Sequence, residues 1–254
     1  MLELSQRGRV AVLTLARPPV NAIDDALIGA FQGILDQLST RTDWQVLHIR
    51  SAQKVFAAGA DLDLIRSWKD APAPGRALSA YVQRLQALYQ RIEQLPQVTF
   101  CEIAGAAMGG GYELALACDL RLVADEARIG LPEVGIGLIP GAGGTQRLTR
   151  LCGRGVAARV ILSCEAVEGR TAVQLGMAEW AVPRAELESK AIAITDRIAG
   201  LPAHALRAAK QCIAAQGGTE LNGYGLEREL GGALLESAQT QELITAFLER
   251  NNKR

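Results

Sequence analysis

Residues 103–120 read IAGAAMGGGYELALACDL, and in this stretch three consecutive glycines run into an apolar segment with helical spacing. Glycine is a poor helix former, so its use from Gly109 to Gly111 indicates a turn at which a helix begins. Glu113 follows in the first turn of that predicted helix. A carboxylate at the edge of a buried element costs free energy unless an interaction or a function compensates for it, so the position of Glu113 needs an explanation.

The composition of the whole chain indicates a neutral globular protein with a large core. Of 254 residues, 49% are hydrophobic and 21% charged, and 27 basic side chains balance 27 acidic ones. This balance lacks the basic footprint of proteins that bind nucleic acids or anionic membranes. The apolar runs are shorter than the roughly 20 residues of a membrane span, and the first is too short and strand-like for a signal peptide. We therefore expect neither a nucleic-acid nor a membrane partner.

The cysteines and histidines argue against a disulfide framework and a metal site. The five cysteines are an odd number and contain no CxxC pair, which favours reduced thiols and a cytoplasmic location. His48 and His204 lie far apart, without a carboxylate or cysteine at ligand spacing. We expect both histidines to be packing or surface residues, and we expect no metal.

The order of hydrophobic patterns predicts an α/β region followed by a helical region. Pattern and composition predict strands over 10–16, 45–51, 98–105, 119–125 and 175–183, and helices over 24–39 and from 78 to the stop at Pro96. Further along the chain, helical spacing dominates and predicts helices over 145–163, 169–177, 186–201, 204–216 and 220–250. We divide the chain into a core of residues 1–195, which we expect to bind ligand and carry any chemistry, and a helical C-terminal region of residues 196–254.

The glycine-rich runs do not match the usual phosphate-binding motifs. Neither GAAMGGGYE nor GAGGTQR supplies the Lys-Ser/Thr of a Walker loop or completes G-x-G-x-x-G, and the chain has no G-x-S-x-G elbow. Glycines that open a helix instead leave backbone N–H groups unobstructed at its positive end. The turn FAAGAD offers a second such N–H, from Ala60, and two donors aimed at one carbonyl oxygen stabilise an enolate or a tetrahedral intermediate. Ordinary turns without a ligand remain the alternative.

A second acid follows twenty residues after the first. Glu133 lies in IGLPEVGIG, after a predicted strand and turn, and such an excursion can return the chain to the neighbourhood of Glu113. Two carboxylates in a partly desolvated site push their proton affinities apart, so that one can act as base and the other as acid. Spacing alone leaves open that both are solvated surface acids.

Three motifs taken together resemble the enoyl-CoA hydratase (crotonase) family. They are FAAGADL at 56–62, the long run from AGAAMGGG to RLTRLCG at 104–153, and AVQLGMAEWAVP at 172–183. The resemblance runs from the first strand to the last helix and is strongest between residues 56 and 153. It implies an α/β fold in which ββα units form a crotonase-like spiral, with a helical C-terminal trimerisation region. A homo-oligomer, either a trimer or a dimer of trimers, is expected with this fold.

The same resemblance implies site residues and a reaction. The backbone N–H groups of Ala60 and Gly110 match the family's oxyanion hole, Glu113 and Glu133 match its two acid/base positions, and Gly141 matches the glycine beside the attacking water. Relatives that only isomerise, decarboxylate or dehalogenate commonly lack one acid, so both acids together favour reversible hydration of a trans-2-enoyl-CoA to a 3-hydroxyacyl-CoA. We expect Glu113 mainly to activate water and Glu133 mainly to deliver a proton. CoA enters as part of the substrate, and no metal or redox cofactor is expected.

The expected contacts with CoA and the acyl chain rest on the resemblance too, and here the chain departs from the family. The turn RPPVNAID lacks the lysine that relatives often carry, Asp63 stands where many have a basic residue, and Leu243 stands where glycine is frequent. These changes bear on CoA affinity and on the preferred acyl chain. The residues expected to bind CoA are Ala22, Lys54, Ala58, Ala60, Asp61 and Leu62, and those expected to line the acyl pocket are Leu64 and Trp68.

Two alternatives remain open at this stage. One is a specialised crotonase, either a branched-chain or aromatic enoyl-CoA hydratase or an enoyl-CoA isomerase. The other is a non-catalytic scaffold that binds acyl-CoA or RNA, against which the neutral charge and the retained pair of acids argue. A substrate panel that separates water addition from double-bond migration tests the first alternative, and tight RNA binding at physiological salt without turnover on any enoyl-CoA would support the second.

Overall fold

The computed structural model of the chain describes residues 1–69, 71–216 and 223–251, apart from the side chains at 62, 68, 69, 247, 250 and 251. Its residue contacts divide into two compact units. The first comprises residues 1–95 and 99–199, and the second comprises residues 96–98 and 200–254. That residues 1–195 carry all of the ligand binding and chemistry stays a prediction.

Two sheets organise the first unit. The strands of the described residues are β1 Leu2–Arg7, β2 Val10–Leu15, β3 Val46–Ser51, β4 Val98–Ile103, β5 Ala107–Met108, β6 Leu120–Ala124, β7 Arg128–Gly130, β8 Val167–Glu168 and β9 Trp180–Val182. The larger sheet has the order β1-β2-β3-β4-β6-β9, and the smaller has the order β5-β7-β8. Strand β1 pairs antiparallel with β2, whereas the β2–β3, β4–β6 and β6–β9 pairs are parallel. Every residue of β4 is buried, as expected for a strand inside a largely parallel sheet.

Helices connect these strands and make up most of the second unit. The first unit contains α1 Asp25–Ser39, α2 Leu62–Lys69, α3 Pro74–Glu93, α4 Gly110–Leu116, α5 Gly144–Leu162, α6 Gly169–Gln174 and α7 Leu187–Ala199, and the second contains α8 Ala203–Ala214, α9 Gly223–Glu236 and α10 Ala238–Asn251. Two short 3-10 turns cover Glu133–Ile136 and Arg184–Glu186. The α/β architecture with a helical C-terminal region is the predicted one.

The chain passes between the two sheets where the glycine-rich stretch lies. Strand β4 ends in the large sheet at Ile103, β5 begins in the small sheet at Ala107, and α4 starts two residues after β5 ends. Strand β6 then returns to the large sheet, and β7 leads back to the small one beside β5. This out-and-back path brings the segments before α4 and after β7 to the same edge of the small sheet.

Most predicted elements are confirmed to within one or two residues. The strand predicted over 175–183 covers only Trp180–Val182, and the helix predicted over 169–177 ends at Gln174. Helix α3 begins at Pro74, four residues before the predicted start, because proline fits the first helical turn, where its missing N–H costs nothing. The segment after FAAGAD is helix α2. The predicted helix over 220–250 is two helices, and residues 220–222 lie outside the described ones. Helices α9 and α10 separate at Ser237, whose hydroxyl accepts the N–H of Thr240 at 3.2 Å and caps α10.

Within the described ranges, none of the helices combines the length and the apolar character that crossing a bilayer requires. The cytoplasmic location expected from the cysteines stays a prediction.

Two glycine-to-alanine substitutions are expected to change the free energy of unfolding in opposite directions. A methyl group on Gly111 would lie 2.3 Å from the carbonyl oxygen of Ala57, so we expect Gly111→Ala to lower the free energy of unfolding by about 3 kcal/mol. Gly33 lies in α1 with nothing within 4 Å of an added methyl, so Gly33→Ala should raise it by about 0.5–1 kcal/mol. Urea denaturation measures both, and equal effects would contradict the described contact.

Candidate active site

The first amide donor of the site is held by a short bridge between two loops. The N–H of Ile23 donates to the carbonyl of Gly59 at 2.8 Å, and the N–H of Asp61 donates to the carbonyl of Ile23 at 3.2 Å. The Gly59 carbonyl and the Ala60 N–H are opposite ends of one planar peptide unit. Fixing the carbonyl therefore aims the Ala60 N–H away from Ile23, and no acceptor in the described part of the chain takes it.

The second amide donor belongs to the first residue of α4. Gly109 precedes the helix with φ of 51°, and its N–H donates to the carbonyl of Gly130 at 3.0 Å. The first N–H groups of a helix have no intrahelical acceptor. Among the described residues, the N–H of Gly110 likewise has none. The glycine run thus opens the helix, as the sequence predicts.

Glycine at position 59 lets the two donor segments meet. A methyl group on Gly59 would lie 3.1 Å from the carbonyl oxygen of Met108 and 3.5 Å from the backbone nitrogen of Gly110. Gly59 also has φ of +93°, a conformation that side-chain-bearing residues rarely adopt. The structure therefore places the Ala60 and Gly110 amides on adjacent backbone segments.

Glu113 is a buried acid held by a backbone donor. Its side chain is in the first turn of α4 and the residue is 2% exposed. Its Oε1 accepts the N–H of Gly144 at 2.7 Å. Burial raises the pKa of Glu113 from 4.5 to about 7 and outweighs the opposing effect of backbone hydrogen bonding, and the negative charge of Glu133 raises it further.

Glu133 approaches the start of α4 from the segment that follows β7. It follows Pro132 at the beginning of a 3-10 turn, and a methyl group on Gly109 would lie 2.9 Å from its Oε1. Its Oε2 is buried and receives no hydrogen bond from the described residues. Burial raises the pKa of Glu133, although its own N–H opposes the change. The excursion through β6 and β7 does bring the second predicted acid to the first.

The loop that contains Gly141 is anchored on both sides. The side-chain amide of Gln86 on α3 donates to the carbonyl of Gly141 at 2.7 Å. The guanidinium of Arg147 donates to the carbonyl of Ala142 at 2.9 Å and pairs with Glu93 at 2.9 Å. Because the N–H of Gly144, three residues further on, donates to Glu113, these contacts hold Gly141 near that acid.

The predicted CoA-binding residues fall into two groups. Ala22, Ala58 and Asp61 surround the bridge that positions Ala60: the N–H of Ala58 donates to the Val20 carbonyl at 3.0 Å, and the Ala22 carbonyl accepts from the Arg17 guanidinium. Lys54 belongs to a different part of the chain and is exposed on the loop before Phe56.

Asp61 has a structural task that the sequence did not indicate. Its Oδ1 accepts the N–H of Asp63 at 2.9 Å and so caps α2, while its Oδ2 lies 3.2 Å from the guanidinium of Arg17. Arg17 also pairs with Asp24 at 2.7 Å. Sequence reasoning missed Arg17, and the signal that was available is a basic residue directly before the Pro-Pro pair of the turn.

The predicted acyl-pocket residues lie on α2. Leu64 is half-buried there. The side chains of Trp68 and of the predicted CoA contact Leu62 lie outside those that the structure describes, so their roles stay predictions.

Comparison with known proteins gives a consistent family. A family model described as enoyl-CoA hydratase/isomerase matches residues 5–254. A Bacillus subtilis protein named probable enoyl-CoA hydratase is 36% identical over 243 residues, which cover 95% of this chain and 93% of that protein. The 2,3-dehydroadipyl-CoA hydratase of Escherichia coli K12 is 34% identical over 252 residues, which cover 98% of this chain and 96% of the enzyme.

Solved structures agree with these relatives. An enoyl-CoA hydratase from Bacillus anthracis superposes with a TM-score of 0.89 at 33% identity and covers 98% of this chain and 96% of its own. Pseudomonas aeruginosa DspI superposes with a TM-score of 0.89 at 32% identity, covering 98% and 94% respectively.

The raised pKa of Glu113 predicts a pH dependence of stability. The folded chain holds the proton more tightly than the unfolded chain, so this group favours folding at pH 4.5 and below, and the contribution is lost as the pH rises to about 7. The loss amounts to about 3 kcal/mol. In Glu113→Gln, which keeps an acceptor for Gly144, the free energy of unfolding should fall less over this range.

Urea denaturation of wild type and variant at matched pH values measures the difference. Parallel curves for the two proteins would contradict the raised pKa.

Proposed function

The chain belongs to the enoyl-CoA hydratase/isomerase family, and we propose that it adds water reversibly to trans-2-enoyl-CoA thioesters to give 3-hydroxyacyl-CoA in the degradation of fatty acids or related acyl groups. The observation that carries this proposal is that the buried Glu113 and the half-buried Glu133 lie beside two backbone segments that each offer an unpaired N–H group. Such a site suits a reaction that builds negative charge on a carbonyl oxygen while protons move nearby.

In the proposed mechanism the two amides activate the substrate as an electrophile. The thioester oxygen accepts hydrogen bonds from the N–H groups of Ala60 and Gly110, which draws electron density from the double bond and makes Cβ electrophilic. As water adds at Cβ, negative charge moves onto the thioester oxygen, where both donors stabilise it. Because the donors are fixed before the substrate arrives, they need no reorganisation during the reaction.

The two acids supply the proton transfers. Glu113 accepts a proton from the water as its oxygen bonds to Cβ, and Glu133 gives a proton to Cα, so one water adds across the double bond. The backbone N–H of Gly144 stabilises the ionised form of Glu113, whereas the Oε2 of Glu133 lacks a donor among the described residues and suits a protonated carboxyl. With a pKa of about 7, Glu113 has both protonation states available near neutral pH.

Substrate binding follows from the same arrangement. Gly141, beside Glu113, is proposed to position the attacking water, and Lys54 to meet a phosphate of CoA. Ala22, Ala58, Asp61 and Leu62 are proposed to surround the CoA moiety, with Leu64 and Trp68 at the acyl chain. Since amide donors and carboxylates suffice for this chemistry, CoA is substrate and we propose no further cofactor.

The test of the function is kinetic. We expect Glu113→Gln and Glu133→Gln each to lower kcat/KM for crotonyl-CoA and longer enoyl-CoAs by about 100- to 10,000-fold, because each removes a proton-transfer group. Glu188→Gln is the matched control, since Glu188 is an exposed acid on α7 paired with Arg50. Oxygen incorporation from labelled water separates hydration from double-bond migration.

Wild-type turnover in both Gln variants, or migration without label incorporation, would contradict a hydratase with this acid pair.

We also propose that the chain assembles as a trimer or a dimer of trimers. Large apolar side chains lie exposed in both units, among them Ile136 and Ile139 in the first and Ile213 and Tyr224 in the second. Assembly with other copies of the chain would remove such apolar side chains from water, which is favourable. Light scattering after gel filtration should give three or six times the chain mass of 27.1 kDa, and a monomer would contradict the assembly.

A further inference from the structure

Helix α3 carries two buried tyrosines whose hydroxyl groups both end on backbone carbonyls. Tyr89 is 1% exposed, and its hydroxyl donates to the carbonyl of Gly110 at 2.6 Å. Tyr81, two helical turns earlier, is 3% exposed, and its hydroxyl donates to the carbonyl of Ile23 at 3.0 Å. The two hydroxyls thus act on the two backbone segments that carry the proposed oxyanion donors.

Tyr89 acts directly on the donor residue. The carbonyl that it holds belongs to Gly110, whose N–H is the second donor. The preceding residue is fixed as well, because the Gly109 N–H donates to Gly130. Glycine gives the backbone here more conformational freedom than other residues would. The Gly110 N–H lies along the chain between these two fixed groups, so both contacts limit the backbone rotations that would turn it away.

Tyr81 acts on the other donor through Ile23. The Ile23 carbonyl accepts hydrogen bonds from both the Tyr81 hydroxyl and the Asp61 N–H, while the Ile23 N–H holds the Gly59 carbonyl. Through these hydrogen bonds Ile23 holds both residues that flank Ala60, Gly59 and Asp61. Holding Ile23 in place therefore holds the Ala60 peptide unit.

The hydroxyl groups do more here than fill space. A phenyl ring would pack as well as a phenol, and a buried tyrosine hydroxyl needs an acceptor. Burial raises the pKa of Tyr81 and of Tyr89, and the negative charge of Glu113 adds to both shifts, so both hydroxyls keep their protons and act as donors. A third buried tyrosine, Tyr112, donates instead to the carbonyl of Met177 at 2.9 Å, on neither donor segment.

We propose that Tyr81 and Tyr89 are positioning residues that fix the Ala60 and Gly110 amides relative to one another, with α3 as the spacer between them. The inference rests on the proposed oxyanion role of those two amides. Eight residues of helix set a separation of about 12 Å between the tyrosine backbones, and a helix changes this distance little. The two donors converge on one oxygen because one rigid element holds both segments.

The test compares Tyr→Phe variants at three buried positions. Tyr81→Phe and Tyr89→Phe should each lower kcat for crotonyl-CoA about tenfold, a fraction of the 100- to 1,000-fold loss on removing an oxyanion donor outright. KM should change less than twofold, and the pH profile of kcat should keep its midpoint because Glu113 is untouched. The double variant should show the product of the two losses.

Tyr112→Phe is the matched control, because it also removes one buried hydroxyl bound to a carbonyl. It should be destabilised to a similar extent in a thermal melt and keep the wild-type kcat. If all three single variants lose the same fraction of kcat, the effect is general destabilisation and the positioning role is wrong.

A spectroscopic measurement tests the same role without turnover. Butyryl-CoA labelled with carbon-13 at its carbonyl has no double bond to hydrate, and its infrared carbonyl band shifts to lower frequency when two donors polarise it. The shift on binding should be smaller in Tyr81→Phe and Tyr89→Phe than in wild type and Tyr112→Phe. An equal shift in all four proteins would overturn the inference.

The two readouts separate this inference from the proposed function. If wild type binds butyryl-CoA with a shifted band that only Tyr81→Phe and Tyr89→Phe reduce, the positioning role stands even if no enoyl-CoA is hydrated. Hydration by wild type with Tyr81→Phe and Tyr89→Phe indistinguishable from Tyr112→Phe would support the function and reject the positioning role.

Discussion

The site depends on the close approach of two backbone segments with no side chain between them. Gly59 and Gly111 supply the room: a methyl group on either would enter the space of the opposite backbone, at Met108 and Ala57 respectively. Nearly every other feature of the site follows from this contact. It sets the start of α4, brings two unpaired amides side by side, and places Glu113 one turn further along the same helix. Side chains then tune a geometry that the backbone has already imposed.

Near that contact, burial and hydrogen bonding change the pKa of Glu113 in opposite directions. Burial raises the pKa of both acids, while the backbone N–H of Gly144 lowers that of Glu113. The negative charge of Glu133 also raises the pKa of Glu113, so the proton affinity of Glu113 depends on the ionisation state of its neighbour.

The sequence predicted the fold well because its evidence is local. Helical spacing, strand composition and proline stops located most elements, and the glycine run located the start of α4. The role of Ala60 needed more, because its proximity to Gly110 depends on a contact across the fold, and here the family resemblance supplied what spacing could not. The contacts of Tyr89 and Gln86 could not be predicted for a related reason. A buried tyrosine and an exposed glutamine on an amphipathic helix look like core and surface until their partners are known.

Glu113 also serves a helix other than its own. Helix α5 begins at Gly144, and no side chain near its start caps it; Glu113, from 31 residues earlier in the chain, accepts the Gly144 N–H instead. Its negative charge also lies at the positive end of the α5 dipole. Replacing this acid with an apolar residue would therefore remove a proton acceptor of the site and the acceptor of the Gly144 N–H in one step.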